Sequence, residues 1–196
     1  MKKHLLGSLA IIIMLASCKK EDTPATNSAT IEGSYKFKYL SASTKSTVVS
    51  GDEKAVTNSD YTTSDNQGTV TFSNSVFTGT GVAYSLNTTA KSYLYFGGEL
   101  IDSLSYPFSF TLPASNYVAQ YQLIGADSIY FPQGSVTGGI DGMGPRQTNP
   151  SGGRYSITGN LLTITQHLSK DSTLNNSGET AHLKEDALTS LVLEKQ

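Results

Sequence analysis

Short runs in which apolar and polar residues alternate are the feature that most constrains the fold of this chain. In segment 31–41, Tyr35, Phe37 and Tyr39 fall on one face of an extended chain, and Lys36 and Lys38 fall on the other. Successive side chains of a β-strand point to opposite faces, so this spacing predicts a strand with one buried face. No amphipathic helix is predicted after the N-terminal segment.

The same pattern recurs along the chain, bounded by Gly, Asn, Asp and Pro residues that favour turns. The predicted strands are 31–41, 68–73, 76–86, 90–101, 106–112, 117–124, 128–131, 154–158, 160–168, 181–183 and 188–194. Asn74-Ser75 and Gly159-Asn160 are predicted to form tight turns, and Pro113 is predicted to end a strand. About ten short strands at this spacing predict an all-β fold built as an antiparallel meander.

Two segments are predicted to be loops. Segment 42–67 is polar and nearly free of large apolar residues, so we expect a long loop with at most one weak strand. Segment 132–153 holds seven Gly and three Pro. A loop of that length is uncommon unless it is functional or disordered. It is therefore interpreted either as a ligand-contacting loop at the mouth of a barrel or as a surface insertion.

The N-terminus has the pattern of an export signal. A basic start is followed by an apolar stretch over residues 5–16, which is shorter than the roughly 20 residues that span a bilayer. Leu15-Ala16-Ser17-Cys18 resembles the lipobox of bacterial lipoproteins, and Cys18 is the chain's single cysteine. The alternative is an ordinary secretory signal with a chance cysteine. The resulting domain prediction is a signal peptide (1–17), a lipidated polar tether (18–30) and a β domain (31–196).

The charge of the mature chain argues against a nucleic-acid partner. Removing residues 1–17 takes away Lys2 and Lys3 and no acidic residue, which leaves 12 basic and 16 acidic residues. A nucleic-acid-binding domain would carry a basic stripe instead. Charged residues make up only 15% of the chain, and Ser, Thr, Asn, Gly and Tyr take their place. This composition is typical of exported β-proteins.

Both ends of the β domain resemble a known family. Ile31-Glu32-Gly33-Ser34-Tyr35 resembles the opening Gly-x-Trp strand of lipocalin-like proteins, with Tyr35 at the position of the Trp. Segments 155–165 and 191–195 resemble the late strands of lipocalin-like lipoproteins from Bacteroidota. The resemblance implies an eight-stranded antiparallel up-and-down barrel, with extra strands or long loops, that holds a small apolar ligand. A β-sandwich remains the alternative, because the middle of the chain matches no motif.

No catalytic or metal-binding machinery is predicted, and neither is a cofactor. A Gly-x-Ser-x-Gly elbow is absent from the sequence, and the expectation is that the protein is not an enzyme. His167 and His182 are predicted on neighbouring strands without the further ligands that a metal needs. Asp102-Ser103-Leu104 and Asp127-Ser128-Ile129 resemble the O-glycosylation sequon of Bacteroidota, which makes Ser103 and Ser128 candidate modification sites.

The aromatic residues are the best candidates for a ligand site, since the inward positions of a small barrel can enclose one small molecule. The candidates are Tyr35, Phe37, Tyr93, Tyr95, Tyr117 and Tyr121, with Arg146 and Arg154 available for an anionic group. Two functions follow. One is a lipoprotein, anchored to the outer membrane through Cys18 and facing the periplasm or the cell surface, that binds a small apolar or amphipathic ligand. The other is a structural or interaction lipoprotein of the envelope, with a filled barrel and a protein partner.

Overall fold

The computed structural model describes residues 30–134, 150–176 and 179–196, and this part of the chain forms β-strands without any helix. The predicted signal peptide, Cys18 and almost all of the predicted tether lie outside the described residues. The strands are β1 (Gly33–Ser50), β2 (Glu53–Thr62), β3 (Ser64–Ser73), β4 (Val76–Phe96), β5 (Glu99–Gln120), β6 (Gln122–Ile124), β7 (Ser128–Phe131), β8 (Ser151–Thr158), β9 (Leu161–Asn176) and β10 (Glu179–Lys195).

The strands form a closed antiparallel barrel. Only Thr63 separates β2 from β3, and both of these strands pair with β1 and β4. Likewise, only Tyr121 separates β5, which pairs with β4, from β6, which pairs with β7. Counting each of these pairs as one bent strand gives an up-and-down ring of eight, which β10 closes by pairing with β1. The predicted all-β up-and-down barrel is confirmed, and the single sheet rules out the two-sheet sandwich.

The barrel has two unlike halves, which we call closed and open. The closed half contains the Asn74-Ser75 turn, and there the ring is complete. The open half is built from the far portions of β1, β2, β4, β5, β9 and β10. β5 pairs only with β4 along its whole length, and the ring continues from it through the bend at Tyr121 into β6; in the open half, residues 167–176 of β9 pair only with β10. The sheet therefore has two free edges in the open half, because β6, β7 and β8 are too short to reach between them.

Aromatic rings fill the closed half. The largest fully buried side chains there include Tyr35, Phe72, Phe77 and Phe131, each no more than 1% exposed. Phe72 lies at their centre, with ring centroids 4.9 Å from Phe77 and 5.9 Å from Tyr35. Because apolar burial is the main driving force of folding, this cluster is the core that holds the ring closed.

Two local features shape the wall of the closed half. Asn74 and Ser75 both have positive φ, at 51° and 63°, as a two-residue hairpin turn with the twist of its strands requires. The predicted turn is confirmed. Gly79 faces the interior beside its cross-strand partner Tyr117, and a Cβ at this position would overlap the Tyr117 ring. Glycine at this position therefore lets that ring lie inside the barrel.

The prediction that segment 42–67 is a loop is wrong. Residues 41–50 and 53–62 are the paired arms of β1 and β2, and β3 begins at Ser64. Each arm is hydrogen-bonded on both sides, β1 to β10 and β2 to β4, so backbone pairing holds it without large apolar side chains. Hydroxyl contacts add to this pairing, such as the 3.2 Å bond between Thr57 Oγ1 and Ser92 Oγ.

Several strands are longer than predicted. β4 continues through residues 87–89, β5 through 102–105 and 113–116, and β9 reaches Asn176. The predicted strand 90–101 is instead the end of β4, a turn at Gly97-Gly98 and the start of β5. Pro113 lies inside β5 where the register with β4 shifts, a position that tolerates the missing N–H of proline.

Residues 135–149 of the predicted loop 132–153 lie outside the described residues, and residues 151–153 belong to β8.

Candidate ligand site in the open half

A row of exposed apolar side chains continues the core into the open half. Along β4, the buried residues Tyr84, Leu86 and Ala90 alternate with polar residues, so even-numbered positions face the interior. Their cross-strand partners on β5 share that face. The large side chains at the far end of this face form what we call the apolar wall: Leu94, Phe96, Leu104, Tyr106 and Phe108.

The apolar wall is exposed to an unusual degree. Its members are between 38% (Leu94) and 61% (Leu104) exposed, although they continue a face that is buried lower down. Scattered exposed apolar residues are normal, but a contiguous patch of a few hundred Å² marks an interaction site. The exposure follows from the topology. In the open half, no described strand lies between the free edges of β5 and β9, so this face is left uncovered.

Three tyrosines, which we call the tyrosine floor, lie where the apolar wall meets the filled core. They are Tyr61 on β2, Tyr84 on β4 and Tyr117 on β5, and all three are on inward positions of the strands. Tyr84 contacts Phe37 below, at a centroid distance of 6.0 Å, and Phe110 beside it at 6.5 Å. Phe110 is two residues from Phe108, so the floor and the wall form one continuous surface.

The hydroxyl group of Tyr61 is buried and has no hydrogen-bond partner among the described residues. Leaving a buried polar group unpaired costs about 1–3 kcal/mol, so such groups are rare in folded proteins. Burial raises the pKa of Tyr61 well above its ordinary value of 10.0, and the nearby Tyr84 raises it further. Burial and Tyr84 also raise the pKa of Tyr117, and burial raises that of Tyr84. All three hydroxyls therefore stay protonated at neutral pH and can donate.

Alkaline titration tests this arrangement. A folded-state pKa above the unfolded value gives stability that is complete below pH 10.0 and is lost as the pH rises beyond it. We therefore expect the free energy of unfolding to fall above pH 10, with the floor tyrosines ionising only as the barrel unfolds. Ultraviolet absorbance of tyrosinate, recorded with circular dichroism, follows both events. A single titration of all eleven tyrosines near pH 10 in the folded barrel would contradict the burial of the floor.

The charges on the inner face of the open half are mainly acidic. Glu53, Glu99 and Asp102 lie on this face near the tips of the hairpins, in register with the wall residues Phe96 and Leu94. Lys170 lies on the same face across the barrel, but its Nζ is 4.0 Å from a carboxylate oxygen of its cross-strand partner Glu185. The open half therefore offers hydroxyl donors and apolar surface, and its charge disfavours an anion.

The predicted site residues divide between the core, the floor and the outer surface. Tyr35, Phe37 and Tyr121 are no more than 3% exposed and belong to the core, where the Tyr35 hydroxyl donates to the Ile31 carbonyl at 2.8 Å. Of the predicted set, Tyr117 is a floor residue and Phe37 supports the floor through Tyr84. The core residues have a structural role, because their rings pack against one another.

The other candidates lie away from the open half's inner face. Tyr93 and Tyr95 are on the opposite face of β4, where the Tyr95 ring faces Lys54 Nζ at 5.4 Å. Arg154 is on the outer face of β8 and pairs with Asp127 at 2.5 Å. Arg146 lies outside the described residues. Sequence reasoning missed Tyr61, Tyr84 and the apolar wall, although Tyr106, Phe108 and Phe110 were visible as an alternating set.

The remaining residues that the sequence singled out do not come together in one site. His167 and His182 are on the outer faces of β9 and β10, and no group of three or more potential metal ligands occurs in the described part of the chain. Ser103 and Ser128 each follow an aspartate that accepts a hydrogen bond from the serine, through its backbone N–H and its hydroxyl respectively. Their glycosylation stays a prediction.

A second concave feature lies on the outer face of the barrel. It is an open groove of about 450 Å³ between β1, β2 and β10, and its lining includes the small polar residues Ser41, Ser43, Thr62 and Ser190 together with Tyr61 and Leu188. It is shallow and open to solvent and has no convergent charged cluster, so it is a weaker candidate than the open half. Within the described ranges, no helix is long and apolar enough to cross a membrane.

Comparisons with known proteins add little to this description. No family model matches the chain, and no curated protein matches it. Among solved structures, it is similar to the crystal structure of Ail, the attachment invasion locus protein of Yersinia pestis. The identity is 11%, the match covers 83% of this chain and 99% of that one, and the TM-score is 0.22. So low a score supports no conclusion about fold or function, and the barrel assignment stands on its strand pairing.

Proposed function

We propose that this protein is a lipoprotein, anchored in the outer membrane through Cys18, whose open half binds a small amphipathic molecule. The observation that carries the proposal is the apolar wall, which continues the core face but is left uncovered. An apolar tail would lie along Leu104, Tyr106 and Phe108, and a polar head would reach the tyrosine floor. Burying apolar surface at roughly 25 cal/mol per Å² supplies the driving force.

The closed half is a poor place for this ligand. Its inward positions are occupied by rings in mutual contact, with Phe72, Phe77 and Phe131 each no more than 1% exposed. The proposed ligand therefore lies above the core rather than inside it. In this proposal the closed half has a different role, which is to hold β4 and β5 rigidly in place so that the wall is formed before the ligand arrives.

The position of the N-terminus supports this orientation. β1 starts at Gly33, next to Phe72 in the closed half, and runs to Ser50 at the tip of the open half. A tether that enters at the closed end would hold that end toward the membrane. The apolar wall would then face away from the anchoring bilayer and toward the periplasm or the medium, where it could receive a free ligand.

Binding of a neutral amphiphile to the mature chain tests the proposed function. The protein would span residues 18–196 with Cys18→Ser, which changes no described residue and avoids the need for detergent. We expect monolaurin, kept below its micellar concentration, to form a one-to-one complex that native mass spectrometry detects and that raises Tm. Absence of a complex both with monolaurin and with charged amphiphiles of the same tail length, in the folded protein, would contradict the proposal.

A protein partner is the second candidate, and one observation favours it. Leu100 and Ile101, at the tip of the β4–β5 hairpin, are 54% and 58% exposed and lie beyond the wall itself. Exposed apolar tips of this kind are typical of protein interfaces. A photo-crosslinking residue at position 100, used in intact cells, would capture such a partner, and a residue at position 118 on the outer face is the matched control.

A further inference from the structure

The chemistry of the floor restricts the head group that a ligand could carry. Tyr61 has a buried hydroxyl that no described residue engages, and a head group would have to displace the groups that cover it. Phenol hydroxyls that remain protonated donate hydrogen bonds, and a ligand atom able to accept one would remove the cost of the unpaired group. A ligand that pairs with Tyr61 therefore needs an oxygen or nitrogen acceptor at its inner end.

The charged residues on the inner face indicate whether the acceptor on the ligand is charged or neutral. The carboxylates of Glu53, Glu99 and Asp102 lie on the same inner face, and Lys170 is already paired with Glu185. A carboxylate or phosphate head would be buried without a cation, which is costly in a poorly solvated site. A quaternary ammonium head could contact the faces of the phenol rings, but it has no atom that accepts a hydrogen bond, so it would leave the Tyr61 hydroxyl unpaired.

The dimensions suit a single acyl chain. From Tyr84 at the floor to Leu94 near the tip is ten residues along β4, which corresponds to about 33 Å at 3.3 Å per residue. On β5, the row from Phe110, which adjoins the floor, to the wall residue Leu104 covers six residues, or about 20 Å. This row is long enough for one extended acyl tail whose compact head lies at the floor.

We infer that the tyrosine floor selects an uncharged, hydrogen-bond-accepting head group, such as an ester or a hydroxyl, and that Tyr61 is its donor. This inference rests on the proposed function, because it names the ligand class of the same open half. Tyr84 and Tyr117 form the rest of the floor around that head group.

Three probes that share a twelve-carbon tail separate the possibilities: monolaurin, laurate and dodecyltrimethylammonium. Titration calorimetry on residues 18–196 with Cys18→Ser, at neutral pH, would give each Kd. We expect monolaurin to bind at least tenfold more tightly than either charged probe. Tyr61→Phe should weaken monolaurin about tenfold, and it should raise the Tm of the unliganded protein because the unpaired hydroxyl is gone. Tyr93→Phe, on the outer face of the same sheet, is the matched control and should change neither quantity.

The outcomes separate this inference from the proposed function. Equal affinities for the three probes, or an unchanged Kd for monolaurin in Tyr61→Phe, would overturn the head-group inference and leave ligand binding intact. Tighter binding of laurate or dodecyltrimethylammonium would also overturn it. If none of the three probes binds the wild-type protein, both proposals are wrong. Tyr84→Phe provides a second floor variant, for which a smaller loss of affinity is expected.

Discussion

Phe72→Ala is expected to lower the free energy of unfolding by about 3–5 kcal/mol, the range found for removing a fully buried aromatic side chain. The ring is 1% exposed and contacts Tyr35, Phe77 and Tyr121 at centroid distances of 4.9 to 5.9 Å. These partners lie on β1, on β4 and at the bend between β5 and β6, so the cavity would loosen the ring closure at several places. Urea denaturation followed by circular dichroism measures the loss, and for a domain of this size it would remove a large share of the total stability.

Phe108→Ala is the control that makes this result informative. Phe108 is also an inward-facing phenylalanine on a paired strand, but it is 46% exposed because nothing covers the open half. Its removal should change the free energy of unfolding by no more than about 0.5–1 kcal/mol, close to the effect of a surface substitution. Equal losses for Phe72→Ala and Phe108→Ala would mean that the apolar wall is packed in solution, and the division into halves would be wrong.

The alternation of residues predicted much of the closed half, but not the register shift after Phe37, which leaves Tyr39 39% exposed and not buried beside Phe37. Tyr35 and Phe37, two residues apart, point inward as their spacing indicates, and the turn at Asn74-Ser75 forms where local conformational preference puts it. Both features depend on neighbours within a few residues along the chain. Period-2 patterning and turn preference are local properties, so a single sequence reports them well.

The open half could not be predicted in the same way. Residues 41–62 form two arms of a sheet whose stability comes from backbone pairing with β10 and β4, which are far away in the sequence. Their small hydroxyl side chains carry no apolar period, so the segment looks like a loop. Tyr61 was overlooked for the same reason, because its inward direction depends on register with Ala42 rather than on its own neighbours.

The exposure of the apolar wall depends on strands that do not reach it. Tyr106, Phe108 and Phe110 alternate as core residues do, and the sequence distinguishes none of them from Tyr35 or Phe37. Phe110 is partly buried while Phe108 is exposed, because β7 and β8 pair only at the level of the closed half. An aromatic residue is therefore buried only where the neighbouring strands are long enough to cover it. Strand length is a property of the whole ring and not of the local sequence.

The double variant Leu104→Ser with Phe108→Ser is expected to weaken monolaurin binding at least about thirtyfold, which corresponds to about 2 kcal/mol. Both side chains are on the inner face of β5, and a tail lying along the wall would cover their exposed portions of 61% and 46%. Calorimetric titration of the Cys18→Ser protein gives the change in Kd. Stability should change little, because neither side chain contributes a fully buried surface to the core.

Val118→Ser with Leu188→Ser is the matched control for this loss. These two residues are 68% and 50% exposed, so the control removes similar apolar area, but they lie on the outer face of the barrel. Monolaurin affinity should stay within about twofold of the wild-type value, since a change below about 0.4 kcal/mol is what distant surface positions produce. An equal loss of affinity in both double variants would mean that the probe adsorbs to apolar surface in general. A loss confined to the inner pair would require a ligand that lies on the uncovered core face, because only that face distinguishes the two pairs.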